Sequence, residues 1–171
     1  MNAQGKLTPA QWIIVLIVGG PCLLGIAVLM FPTPAWSPCK DSINRGCIVN
    51  LHRLVRAQIT YAQDYDGYLP DASRWCDLTR PYVRDFVDRA VYRCPAVPQE
   101  QGFGYAMNVH LSRQNWDAIQ NPMRTPLLYD SSNLAWNTHD PFTSLPNPPR
   151  HGRQGNTIAF ATGAVRSVRS P

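Results

Sequence analysis

The sequence predicts an α+β protein: one N-terminal transmembrane helix, then an amphipathic helix packed on a small antiparallel sheet. Three observations predict it. Residues 12–31 carry no charge, apolar residues between 43 and 62 recur at helical spacing, and short strand-like runs follow, separated by turn residues. At 171 residues there is room for one span and one domain of ordinary size. The sequence therefore divides into a tail (1–11), the span (12–31), a Pro-rich connector (32–41) and one extracytoplasmic domain (42–171).

The span reads WIIVLIVGGPCLLGIAVLMF, twenty residues that match a hydrocarbon thickness of ~30 Å at ~1.5 Å per residue. It exceeds the apolar core of a cleaved signal, about 7–15 residues, and no clean small-x-small site follows it, so the anchor is expected to be retained. Pro21 removes a backbone donor mid-span, and Gly19, Gly20 and Gly25 would let a partner helix approach closely. After the span, Pro32, Pro34 and Pro38 punctuate the connector and end the helix.

Asp41 or Ser42 can cap the next helix, expected over 42–65, with Ile43, Cys47, Ile48, Leu51, Val55, Ile59 and Ala62 on one face. Arg45, Arg53, Arg56 and Gln63 lie on the other. Gly67 supplies the C-terminal stop, and Tyr68-Leu69-Pro70 leads away in extended form. A short helix is expected near 73–79. Strands are expected near 104–109, 126–130, 157–161 and 164–168, the last two joined by Ala161-Thr162-Gly163-Ala164. The aromatics Trp75, Tyr82, Tyr92, Phe103, Tyr105, Tyr129 and Phe160 read as core, whereas Trp116 and Trp136, in polar loops, read as interface candidates.

The net charge is +5, and the 16 basic residues are scattered without a stripe, which argues against a nucleic-acid groove. Of the 5 cysteines, Cys22 falls in the span. The other four, Cys39, Cys47, Cys76 and Cys94, form an even set that suits two disulfides in an oxidising compartment. Three pairings are open; Cys39 with Cys47 and Cys76 with Cys94 are nearest in sequence. A zinc module is the rival reading, but there is no C-x-x-C pair and the spacings match no structural zinc module. The four histidines have no pairwise spacing that places two on one helix face. Asp64, Asp66 and Gly67 lack the further ligands of a calcium loop and read as a helix end. No nucleophile elbow, phosphate loop or haem attachment is present, so neither catalysis nor a cofactor, a metal or a small-molecule substrate is expected.

The stretch CIVNLHRLVRAQITYAQDYDGYLPD resembles the start of the head domain in a bacterial family of prepilin-like proteins, the pseudopilin-like proteins of type II secretion among them. Further landmarks follow in the family's order: Trp75, Pro81-Tyr82-Val83, Arg93-Cys94-Pro95, Tyr105-Ala106-Met107-Asn108, Arg124 to Asp130, and a segment from His151 to Gly163 like the family's C-terminal His-x9-Asp-Gly signature. Tyr65, Gly67, Pro70, Pro95, Asn108, Asp130, His151 and Gly163 occupy landmark positions. Two departures stand out. Thr162 replaces the Asp, with ten residues between it and His151 rather than nine. The processing sequence Gly-Phe-Thr-Leu-Ile-Glu is also missing, with Gly5-Lys6-Leu7-Thr8-Pro9-Ala10-Gln11 in its place.

The resemblance implies a pilin-like head, and the missing motif implies a subunit fixed in place. The sequence reading is thus a non-catalytic, single-pass subunit of the bacterial inner membrane, N-terminus cytoplasmic and head periplasmic. It would contact membrane lipid and the integral and extracytoplasmic proteins of a larger complex, photosynthetic or respiratory. The alternative is a minor pseudopilin of a type II secretion or type IV pilus system.

Overall fold

Apolar side chains at positions three and four apart commit the first element to a helix, α1, which runs Pro38–Asp64 in a computed structural model describing residues 38–83 and 89–169. The expected connector therefore ends early, because Pro38 begins the helix instead of blocking it. A first-turn residue has no intrahelical use for its N–H, and the fixed φ of proline suits that position. Cys47, Leu51, Leu54, Val55, Ala57, Tyr61 and Ala62 are buried on one face, and Arg45, Arg53, Arg56 and Gln63 are exposed on the other. Gly67, at φ +82°, stops the helix by donating its N–H to the Ala62 carbonyl at 2.7 Å.

Asn44 and Gln58 depart from this pattern as buried polar residues of α1, and Gln58 is the deeper of the two. Gln58 is fully buried, its amide nitrogen reaches only the Met107 sulfur at 3.8 Å, and its Oε1 has no partner. An unsatisfied buried carbonyl oxygen costs about 1–3 kcal/mol. Gln58→Met keeps the volume and removes the amide, so it is expected to raise stability by about 1 kcal/mol. A urea midpoint that fell would refute this.

Beyond α1, the Asp71 carboxylate accepts from the Ser73 N–H and starts a 3-10 turn, Ala72–Arg74, that leads into α2, Trp75–Thr79. Trp75 is buried and donates its Nε1–H to the Thr138 carbonyl at 2.9 Å. Five strands follow: β1 Tyr105–Asn108, β2 Pro126–Asp130, β3 His139–Asp140, β4 Asn156–Phe160 and β5 Val165–Val168. Their order in the sheet is β3-β1-β2-β4-β5. Four of the five match the expected strands to within a residue or so, and Gly163 sits in the β4–β5 turn at φ +84°.

The expected all-antiparallel sheet is corrected to a mixed one, since β3 pairs in parallel with β1. Two polar residues carry no alternation to announce a strand. Long-range bonds hold β3 instead: the Met107 N–H donates to the Thr138 carbonyl at 3.0 Å, and the Tyr129 hydroxyl donates to the Asp140 carboxylate at 2.7 Å. The membrane-helix part of the expected fold is also not matched, since no helix among the described residues is long and apolar enough to cross a membrane. The stretch 12–31, with Gly19, Gly20, Pro21, Cys22 and Gly25, lies outside the described residues. The core forms where α1 packs on α2 and on β2 and β4 of the sheet, around Leu51, Leu54, Trp75, Tyr105, Leu127, Leu128 and Ala159.

Candidate metal centre

Four elements deliver one donor side chain each to a single buried point. Cys47 sits on the buried face of α1, in line with Leu51 and Val55. Cys94 follows the 3-10 turn Arg89–Tyr92. Its loop is held against α1 by Asn50 Nδ2, which donates to the Arg93 carbonyl at 3.0 Å, and by Pro95, which packs on Gly46. The Cys94 N–H itself donates to the Phe103 carbonyl at 2.8 Å. Asp130 ends β2, and successive residues of a strand face opposite ways, so it turns toward α1 while Tyr129 turns toward Phe142. His151 precedes the 3-10 turn Gly152–Gln154 and is pinned by its own N–H to the Gly155 carbonyl, 3.2 Å, and by the Arg150 N–H to Asn156 Oδ1, 2.9 Å.

The donor atoms of Cys47, Cys94, Asp130 and His151 all lie within 4.8 Å of one another. His151 Nε2 is 3.1 Å from Asp130 Oδ2 and 3.7 Å from Cys94 Sγ, and the Cys47 thiol lies 3.4 Å from Asp130 Oδ1. A second layer supports these atoms. The Tyr105 hydroxyl donates to Cys47 Sγ at 3.3 Å, and the Thr157 N–H donates to Asp130 Oδ2 at 2.6 Å. Arg150 Nη1 stands 3.7 Å from Asp130 Oδ1 while donating to the Gly104 carbonyl at 2.7 Å. The buried Thr157 hydroxyl stands beside Cys47.

Charge in the cluster is redistributed toward an anionic sulfur and a cationic ring. The hydrogen bond from Cys47 draws the Cys94 thiol down to about 6, against burial and with help from His151. Burial, reinforced by Cys94 and Asp130, drives the Cys47 thiol far up. Burial works to discharge His151, but its bonds to Asp130 and Cys94 prevail and hold it up at about 9.

A Cys–His–Asp set invites comparison with a nucleophilic relay, and the geometry argues against one. A relay needs the carboxylate and the thiol on opposite ring nitrogens, whereas here both meet the same atom, Nε2. Asp130 is fully buried, the His151 side chain is 2% exposed and Cys94 is 0% exposed, so a substrate has no path to the sulfur. Convergence of two sulfurs, a nitrogen and a carboxylate on one point is the arrangement of ligands around a cation.

The expected disulfides are corrected: Cys47, Cys76 and Cys94 are free thiols. Cys39 and Cys47 share α1, and eight residues of helix separate their Cα atoms by about 12 Å, beyond the ~7 Å that a disulfide spans. Cys76 is buried at the start of α2, where its N–H bonds Asn137 Oδ1, whereas the Cys94 sulfur faces Cys47 and His151.

Of the interface candidates, Trp136 packs on Phe103 and Tyr92 and donates to Asp77 Oδ1 at 2.9 Å, and Trp116 is half-buried against the core. Among the landmark positions, Asn108 caps the turn after β1 through the His110 N–H and ties it to the Pro126 carbonyl; Tyr65 is exposed and Pro70 buried. Asp130 and His151 enter the cluster itself. The four-donor set escaped sequence reasoning because no two members share a helix or loop spacing. The available signal was that four separate landmarks each carry a metal-type donor: Cys47, Cys94, Asp130 and His151.

No family model matches the chain, and no curated protein or solved structure matches it either.

Proposed function

We propose that the chain is a non-catalytic structural subunit, tethered at the bacterial inner membrane by residues 12–31, whose extracytoplasmic domain bridges or stabilises a larger protein complex. A photosynthetic or respiratory assembly suits such a tether. The observation that carries the non-catalytic reading is the sealing of the reactive cluster: its thiols, carboxylate and imidazole are enclosed by α1 and the sheet and serve the fold. The uncharged stretch 12–31 supports the anchor. Tyr65 and Tyr68, each about half exposed beside a cleft of about 580 Å³ that also includes Arg74 and Arg113, offer a protein partner an aromatic contact surface.

The order of the prepilin-like landmarks favours a second reading, a minor pseudopilin of a type II secretion or type IV pilus system. Purification from native membranes in mild detergent, with mass spectrometry of the N-terminus and of co-purifying proteins, separates the two. An intact N-terminus in a stoichiometric complex with integral membrane proteins is expected. A trimmed, methylated N-terminus among pilus or secretion components would replace the tether with the pseudopilin.

A further inference from the structure

We propose that Cys47, Cys94, Asp130 and His151 bind one Zn²⁺ ion as a closed, four-coordinate structural site that staples α1, the Cys94 loop, β2 and the His151 turn together. The proposal is independent of the tether reading, because it concerns the interior of the domain and holds whatever the domain's partners are.

The separations fit a tetrahedron around zinc. With Zn–S near 2.3 Å and Zn–N or Zn–O near 2.0 Å, tetrahedral geometry requires a sulfur to sit about 3.5 Å from a nitrogen or oxygen ligand, and a nitrogen about 3.3 Å from an oxygen. The corresponding distances are 3.7 Å for Cys94 to His151, 3.4 Å for Cys47 to Asp130 and 3.1 Å for His151 to Asp130. The carboxylate presents Oδ1 to Cys47 and Oδ2 to His151, and all four donors lie within 4.8 Å of one another, so side-chain rotation without backbone movement brings them onto one ion.

Donor chemistry selects the metal. Two thiolates and an imidazole are soft or borderline ligands that favour zinc over calcium or magnesium, and two sulfurs are too few to hold an iron–sulfur cluster in the usual four-cysteine manner. Charge balances as well. Two thiolates and one carboxylate leave Zn²⁺ with a net charge of −1, and Arg150, 3.7 Å from Asp130, cancels it within the buried volume.

The surrounding donors match what zinc ligands require. Tyr105 already donates to Cys47 Sγ, and Thr157 donates its N–H to Asp130. The Thr157 hydroxyl stands beside Cys47, placed to donate to a thiolate. With four protein donors and no exposed side, no coordination position is left for water or substrate, which makes the site structural.

The test uses the full chain, purified in mild detergent under reducing conditions. Elemental analysis is expected to find one zinc per chain. After removal with a chelator, Co²⁺ is expected to bind with a stoichiometry of one and to show the thiolate-to-cobalt charge-transfer band and strong visible bands of a tetrahedral site. Cys94→Ser and His151→Gln should each weaken metal binding at least ten-fold, whereas Cys76→Ala, a buried thiol outside the cluster, should retain it. Because the ligand variants could fail to fold, alkylation of the wild-type chain provides an independent reading. Cys47 and Cys94 should be labelled only after chelation. Absence of zinc together with an octahedral cobalt spectrum would overturn the proposal, as would a Cys47–Cys94 disulfide found as the native form by peptide mapping.

Discussion

Replacing Asp130 with alanine is expected to cost the domain about 3–5 kcal/mol, among the largest effects of any single side chain. The fully buried carboxylate serves three groups at once. It accepts the Thr157 N–H at 2.6 Å, faces the Arg150 guanidinium at 3.7 Å and meets His151 Nε2 at 3.1 Å. Alanine leaves the Thr157 N–H at the start of β4 unpaired and the buried Arg150 guanidinium without its anion. Removing one partner from a buried ion pair is far more damaging than removing both, since the remaining charge stays desolvated. Asp130→Asn keeps an acceptor for Thr157 while deleting the charge, so it should cost less, about 1–3 kcal/mol. Urea denaturation followed by tryptophan fluorescence ranks the two. An alanine variant within about 1 kcal/mol of wild type would show that Asp130 does not organise this cluster.

The same residue shows where sequence reading succeeds and where it stops. Strand β2 was legible, because Pro126-Leu127-Leu128-Tyr129 is an apolar run bounded by turn residues. Helix α1 was legible from its apolar period, and its end from Gly67, since both signals are local. What Asp130 meets was not legible, because Cys47, Cys94 and His151 come from elements that only tertiary packing brings together. Pairing cysteines by nearness in sequence failed for a related reason. A helix is rigid, and it carries Cys39 and Cys47 apart while the fold carries Cys47 and Cys94 together. Strand β3 was missed because its two residues owe their pairing to Tyr129 and Thr138.

The turn that presents His151 depends on one backbone position, and Gly155→Ala is expected to lower stability by about 3 kcal/mol or more. Gly155 adopts φ +93° and ψ −154°, a region essentially closed to residues with a side chain. A Cβ there would also stand 2.2 Å from the Val168 carbonyl oxygen and 2.8 Å from the Arg169 nitrogen. Both are backbone atoms of β5 and its end, so no rotamer change relieves the overlap, and the Asn156–Val168 end of the β4–β5 ladder must open. Opening it also moves the Gly155 carbonyl that holds the His151 N–H, drawing the imidazole away from Asp130. Gly152→Ala, three residues earlier in the same turn, is the matched comparison. That glycine has φ +57° with nothing within 4 Å of the added carbon, so only the conformational cost of about 1 kcal/mol applies. Thermal and urea unfolding of the two variants should differ by about 2 kcal/mol or more, with the Gly155 variant the weaker. Equal losses would mean that the β5 contact, and the path from it to His151, does not hold the turn in place.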